Sequence, residues 1–63
     1  MCESTVYLAT DEGEQLVLDD VTSIQPEEDG YRLVTLFGER MHVSGRIKSI
    51  DLLRHRILLE PNP

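Results

Sequence analysis

A chain of 63 residues holds one domain with a thin core; at this size only about 60% of the surface the unfolded chain exposes becomes buried, and a disulfide, a metal or a partner subunit usually adds the missing stability. A single cysteine excludes an intramolecular disulfide and leaves metal binding or self-association. The formal charge of −6 opposes general binding to phosphates, and no apolar run approaches the roughly 18 residues of a membrane span.

The segment Ser4–Thr10 is rich in β-branched and aromatic residues, with Val6 and Leu8 on one face and Thr5, Tyr7 and Ala9 on the other, which predicts a strand. Asp11-Glu12-Gly13-Glu14 reads as a hairpin turn, with Gly13 able to take a positive φ. Gln15–Leu18 returns as a second strand, Asp19-Asp20 breaks it, and Val21–Gln25 resumes as a third. Val21 and Ile24 are out of strict alternation, so a bulge or bend is expected near Ser23. Pro26 through Gly30 is a turn.

Tyr31–Phe37 gives the clearest strand, with Tyr31, Leu33, Thr35 and Phe37 on one face and enough apolar content on both to predict a central, buried position. Gly38-Glu39 reverses the chain into Arg40–Val43, and Ser44-Gly45 turns it into Arg46–Asp51, where the phase of Ile47 and Ile50 predicts another irregularity. Leu52–His55 is a short connection, Arg56–Glu60 closes the domain, and residues 61–63 form a frayed tail. The chain is thus all-β, with about seven short strands and no sustained helical period, and the expected architecture is a small SH3-like barrel over residues 1–60.

Nothing here has the spacing of a catalytic triad, a phosphate loop or a histidine pair at helical spacing, so an enzyme is not expected. Cys2 is the one unusual group. If Met1 is removed, the α-amine and thiolate of Cys2 close a five-membered ring on a metal. If Met1 stays, its amine, the Cys2 amide nitrogen and the thiolate close two fused rings in one plane. Planar N and S donors suit Ni(II) or Cu(II), and the need for thiolate makes binding strengthen as pH rises. The bland reading is an inert thiol in a short tail. His42 beside Val43 reads as an ordinary outward-facing strand residue. His55 lies between Arg54 and Arg56, where positive neighbours disfavour a further cation.

Residues 1–30 carry nine acidic side chains and no Lys or Arg, while residues 31–63 carry all six bases against three acids. Such asymmetry can mark a basic binding face, or the basic strands can lie beside the acidic ones and neutralise them. Nucleic-acid binding finds weak support: of the three aromatics Tyr7, Tyr31 and Phe37, the last two read as buried, which leaves no stacking surface. The leading Cys-Glu-Ser is unlike a secretory leader, and one unpaired thiol fits the reducing cytoplasm.

Met1-Cys2-Glu3, Val6-Tyr7-Leu8, Asp20-Val21, Val34–Glu39, Gly45-Arg46-Ile47, Ile50-Asp51-Leu52 and Ile57-Leu58-Leu59 together resemble the CooT family of small nickel-binding proteins, associated with carbon monoxide dehydrogenase maturation and once labelled predicted RNA-binding proteins. The resemblance covers nearly the whole chain, and its most specific element is the cysteine at position two. It implies a small β-barrel homodimer that binds Ni(II) through Cys2, with Met1 supplying backbone or terminal nitrogen, acting as a nickel chaperone for a nickel enzyme such as carbon monoxide dehydrogenase. Two-fold symmetry would bring two copies of Cys2 together, and two thiolates with two nitrogens would complete a square plane. The alternative is an RNA- or protein-binding SH3-like module built around Arg54 and Arg56.

Overall fold

A computed structural model describes residues 3–63. Six strands form: β1 (Ser4–Thr10), β2 (Gly13–Glu27), β3 (Gly30–Thr35), β4 (Arg40–Ser44), β5 (Arg46–Asp51) and β6 (Arg56–Glu60). No helix is present among the described residues. The strands make one sheet in the order β4-β3-β2-β1-β6-β5. Every neighbouring pair is antiparallel except β1 with β6. That one parallel pair sets the first and last strands side by side and running in the same direction, so the start of β1 and the end of β6 lie at opposite ends of the sheet.

The all-β class holds, but the strand count is six because the two expected strands on either side of Asp19-Asp20 are one. Asp20 takes a φ of 56°. A short polar side chain tolerates this left-handed conformation better than an apolar one, so the strand bends without ending. The Asp19 carboxylate accepts from the Asp20 amide at 2.9 Å and from the Thr5 hydroxyl at 2.8 Å, which holds the bend against β1. The first half of β2 then pairs with β1 and the second half with β3, with the expected register shift falling between Val21 and Ser23.

Alternation selects the core. Val6, Val21, Leu33, Ile57 and Leu59 are buried, and Leu8, Val17, Leu18, Ile24, Tyr31, Val43 and Ile47 pack against them. Val6 sits opposite Ile57 and Leu8 opposite Leu59 across the parallel pair. The irregularity expected in β5 lies between Ile47 and Ser49. It brings Ile47 opposite Leu59 and Ile50 opposite Ile57, so both isoleucines lie on the same face although they are three residues apart, Ile47 packed on the core and Ile50 beyond its edge and half exposed.

Closure departs from a complete barrel. β4 and β5 are the two edges of the sheet, yet only Gly45 separates them in the chain. The sheet must coil until its edges meet at that corner, but no ladder joins β4 to β5, and the sheet stays open. Gly45 has a φ of 134°, and a Cβ there would lie 2.5 Å from the Glu60 carbonyl oxygen, so only glycine fits the corner without strain. Its amide donates to the Asp29 carbonyl at 3.1 Å, and Asn62 in the C-terminal tail donates to the same oxygen at 2.9 Å.

Phe37 is also corrected. It lies beyond the end of β3 in the reversal before β4, and it is 75% exposed instead of buried. The reason is Thr35, whose buried hydroxyl accepts from the amides of Phe37 and Glu39 at 3.2 and 3.1 Å. This folds the chain back two residues earlier than the apolar pattern implies.

Candidate metal centre

Met1 and Cys2, the expected metal-binding residues, lie outside the described residues. Their attachment point is well defined. The chain enters the sheet at Ser4, opposite Val21 of β2, and the Thr5 amide donates to the His55 carbonyl at 2.9 Å. β1 therefore begins between the Asp19-Asp20 bend and the β5–β6 turn. The reversal after β3 joins the same end, because the Leu36 amide donates to the Asp20 carbonyl at 2.8 Å.

Four large apolar side chains sit on these two turns in solvent: Leu36, Phe37, Leu52 and Leu53, the last two 80% and 88% exposed. Ile50 and Met41 are exposed in the adjoining rows of β5 and β4. Of the large apolar side chains left exposed among the described residues, Leu16 alone lies elsewhere. Six exposed large apolar side chains on neighbouring segments are the kind of surface that marks an interaction site on a small protein. The expectation of a bland connection at Leu52–His55 missed this surface. The available signal was an adjacent leucine pair in a turn, where no strand face could bury either one.

The two histidines go to opposite ends. His55 stands beside the start of β1 in a left-handed conformation, φ 55°, with its carbonyl engaged by Thr5. His42 is on edge strand β4, where Nδ1 lies 2.7 Å from Glu27 Oε1 and Nε2 3.1 Å from Asp29 Oδ1. The hydrogen bond to Glu27 chiefly raises its pKa above the ordinary histidine value; desolvation opposes it, and the charges of Asp29 and Glu27 and the hydrogen bond to Asp29 add smaller raising effects. Both ring nitrogens are occupied, and the ring itself separates the two carboxylates, so these three groups do not converge on one point. Among the described residues no cluster of three or more His, Cys, Asp or Glu side chains is arranged to hold a metal ion.

Among the arginine ion pairs of the described residues, one bridges the acidic and basic halves of the chain. Arg56 reaches Glu14 at 2.7 Å, joining the basic and acidic halves of the sequence, and its guanidinium lies 4.4 Å from the Tyr7 ring centroid. Arg46 faces Glu60 at 3.6 Å, and Arg54 faces Asp51 at 4.0 Å. A cavity of about 100 Å³ beside Arg56, Glu14 and Tyr7 is below the volume of ordinary ligand pockets. A wider open depression of about 420 Å³ next to Lys48 and Glu60 contains no serine, cysteine or histidine. No helix among the described residues is long and apolar enough to cross a membrane.

Comparison with known proteins covers almost the entire chain. Residues 1–60 match the family described as CO dehydrogenase accessory protein CooT. An uncharacterised protein of Methanothermobacter thermautotrophicus is 38% identical over 60 residues, spanning 95% of this chain and 89% of the relative. One from Methanocaldococcus jannaschii is 35% identical, spanning 95% and 98%. Among solved structures, a chain assigned as CooT from Carboxydothermus hydrogenoformans superposes with a TM-score of 0.89 at 35% identity, covering 98% of this chain and all of that one.

Proposed function

Because the chain belongs to the CooT family of CO dehydrogenase accessory proteins, we propose that it carries Ni(II) for maturation of that enzyme, binding the ion through the Cys2 thiolate and N-terminal nitrogen where two copies meet. Membership makes the protein an assistant to an enzyme and not an enzyme itself. Nickel is cargo on this reading, held by sulfur and nitrogen donors that suit tetragonal geometry.

The observation that carries the reading is the apolar end of the sheet. Strand β1 begins at the end that exposes Leu36, Phe37, Leu52 and Leu53. With Met41 and Ile50 they give this end six exposed large apolar side chains, the residue type that fills the centre of an interface. Docking this end against its symmetry copy would bury surface the thin core leaves out, and it would bring two chain starts to one axis. Two thiolates and two nitrogens complete a plane that one copy cannot. A lone thiol also fits residence in the reducing cytoplasm. Phosphate binding through Arg54 and Arg56 has less support, since Arg56 is committed to Glu14 and Tyr7.

Titration of Ni(II) into the wild type and Cys2→Ser, followed by calorimetry and by thiolate-to-nickel charge-transfer absorption, tests the reading. One ion per two chains, lost in the variant, is the expected result. Equal affinity in both proteins would sink the cysteine site, and one ion per chain would sink the shared one.

A further inference from the structure

His42 is held by two carboxylates, and one of them is also the hub of the sheet's corner. Glu27 ends β2, and Asp29 lies in the turn between β2 and β3. Asp29 Oδ2 accepts from the Ser44 hydroxyl at 3.2 Å, while its carbonyl accepts from Gly45 and Asn62. One residue therefore ties the hairpin, the end of β4, the β4–β5 corner and the C-terminal tail together.

We propose that His42 is a proton-operated clasp that fastens edge strand β4 and the Gly45 corner to the β2–β3 hairpin. A neutral imidazole has one N–H, whereas Glu27 and Asp29 each present an acceptor to a different ring nitrogen. Both contacts are favourable only for the imidazolium. Loss of the proton leaves one nitrogen with a lone pair facing a carboxylate. The shorter Glu27 contact keeps the remaining N–H, so the 3.1 Å contact to Asp29 is the one released. The corner then rests on the Ser44 hydroxyl, the backbone bond from Gly45 and the amide of Asn62, without the ionic contact to the ring.

Arginines also lie near the ring. Arg32, directly across on β3, donates to Gln25 of β2, and Arg40 sits two residues back on the same face of β4. Neither arginine is in contact with the ring, and Glu27 and Asp29 are the charged groups that act on it, both favouring the imidazolium. Arg46, on the far side of the corner, is turned to Glu60. The sign follows: the clasp is shut at low pH and opens as pH rises through the elevated pKa of His42. β4 is an edge with no outer partner, so its attachment along this side decides how firmly the open sheet holds its coil.

The test is an NMR titration of the full chain, following the His42 imidazole nitrogens together with amide exchange of β4 and of β1 as an internal reference. As pH rises through the His42 titration the protection of β4 relative to β1 should fall about two- to threefold, with the same midpoint as the imidazole. That midpoint should drop in Glu27→Gln, and the step should vanish in His42→Gln. An imidazole titrating at or below the ordinary histidine value would overturn the proposal. So would a β4-to-β1 ratio that stays constant through the titration, or a step that survives in His42→Gln. None of these readouts depends on nickel or on dimer formation.

Discussion

Ser44 and Arg46 are separated by one residue in the chain and lie on opposite edges of a six-stranded sheet. The coil of the sheet therefore depends on Gly45, the single residue that turns one edge into the other. Its amide is bonded to Asp29, and Arg46 pairs with Glu60 immediately after it.

Gly45→Ala should be costly for two separate reasons. The φ of 134° is closed to residues with a Cβ, and the added carbon would meet the Glu60 carbonyl at 2.5 Å. A loss of about 2–3 kcal/mol is expected from strain and backbone displacement together, read from the urea midpoint. Gly13→Ala is the matched control. It also carries a positive φ, but an added Cβ there meets nothing within 4 Å, so its cost should be the smaller of the two.

The bend at Asp20 makes a prediction in both directions. Valine in the left-handed region costs about 1–2 kcal/mol, and Asp20→Val should destabilise by that amount. Asp20→Gly should lie within about 0.5 kcal/mol of the wild type, since glycine adopts the conformation freely. Equal losses in the two variants would show that the Asp20 side chain, and not its backbone, is what matters.

Local pattern carried most of the strands, and it failed where a single polar side chain redirected the backbone. Alternation in Thr5-Val6-Tyr7 and Arg56-Ile57-Leu58-Leu59 marks the buried positions directly. The broken phase of Ile47 and Ile50 located a real bulge. By contrast, Asp19-Asp20 has the composition of a strand break, and only the bonds from the Asp19 carboxylate to Thr5 and to the Asp20 amide show that the strand continues. The apolar run through Phe37 hid the turn that Thr35 imposes. Cys2 was singled out by donor chemistry and resemblance, and its metal site stands as a proposal. The apolar end was not legible, because its residues come from two turns separated in sequence and brought together only by the pairing of β1 with β2 and β6.

Thr35 is the one buried polar side chain among the described residues, and its hydroxyl serves two amides of the reversal that carries Phe37. Thr35→Val keeps the shape and removes the acceptor. Part-buried N–H groups left without a partner cost about 1–3 kcal/mol, so a loss in that range is expected in thermal or urea unfolding. Exchange of the Phe37 and Glu39 amides should accelerate more than that of β1, because the damage is confined to the turn.

The apolar end offers a way to separate self-association from metal binding. Phe37 and Leu53 are 75% and 88% exposed and come from different turns, so replacing both with serine removes contact surface while leaving the core side chains in place. Surface changes of this kind usually stay within about 0.5 kcal/mol of the wild type in the isolated chain. Phe37→Ser/Leu53→Ser should therefore fold, sediment as a monomer at concentrations where the wild type is a dimer, and lose the site of one Ni(II) per two chains. Cys2→Ser should do the reverse, keeping the dimer and losing the metal. A serine variant that remains dimeric would move the interface away from this end. A variant that is monomeric yet binds nickel as tightly as the wild type would show that one chain start suffices, and the shared square plane would have to be abandoned while the apolar contact stood.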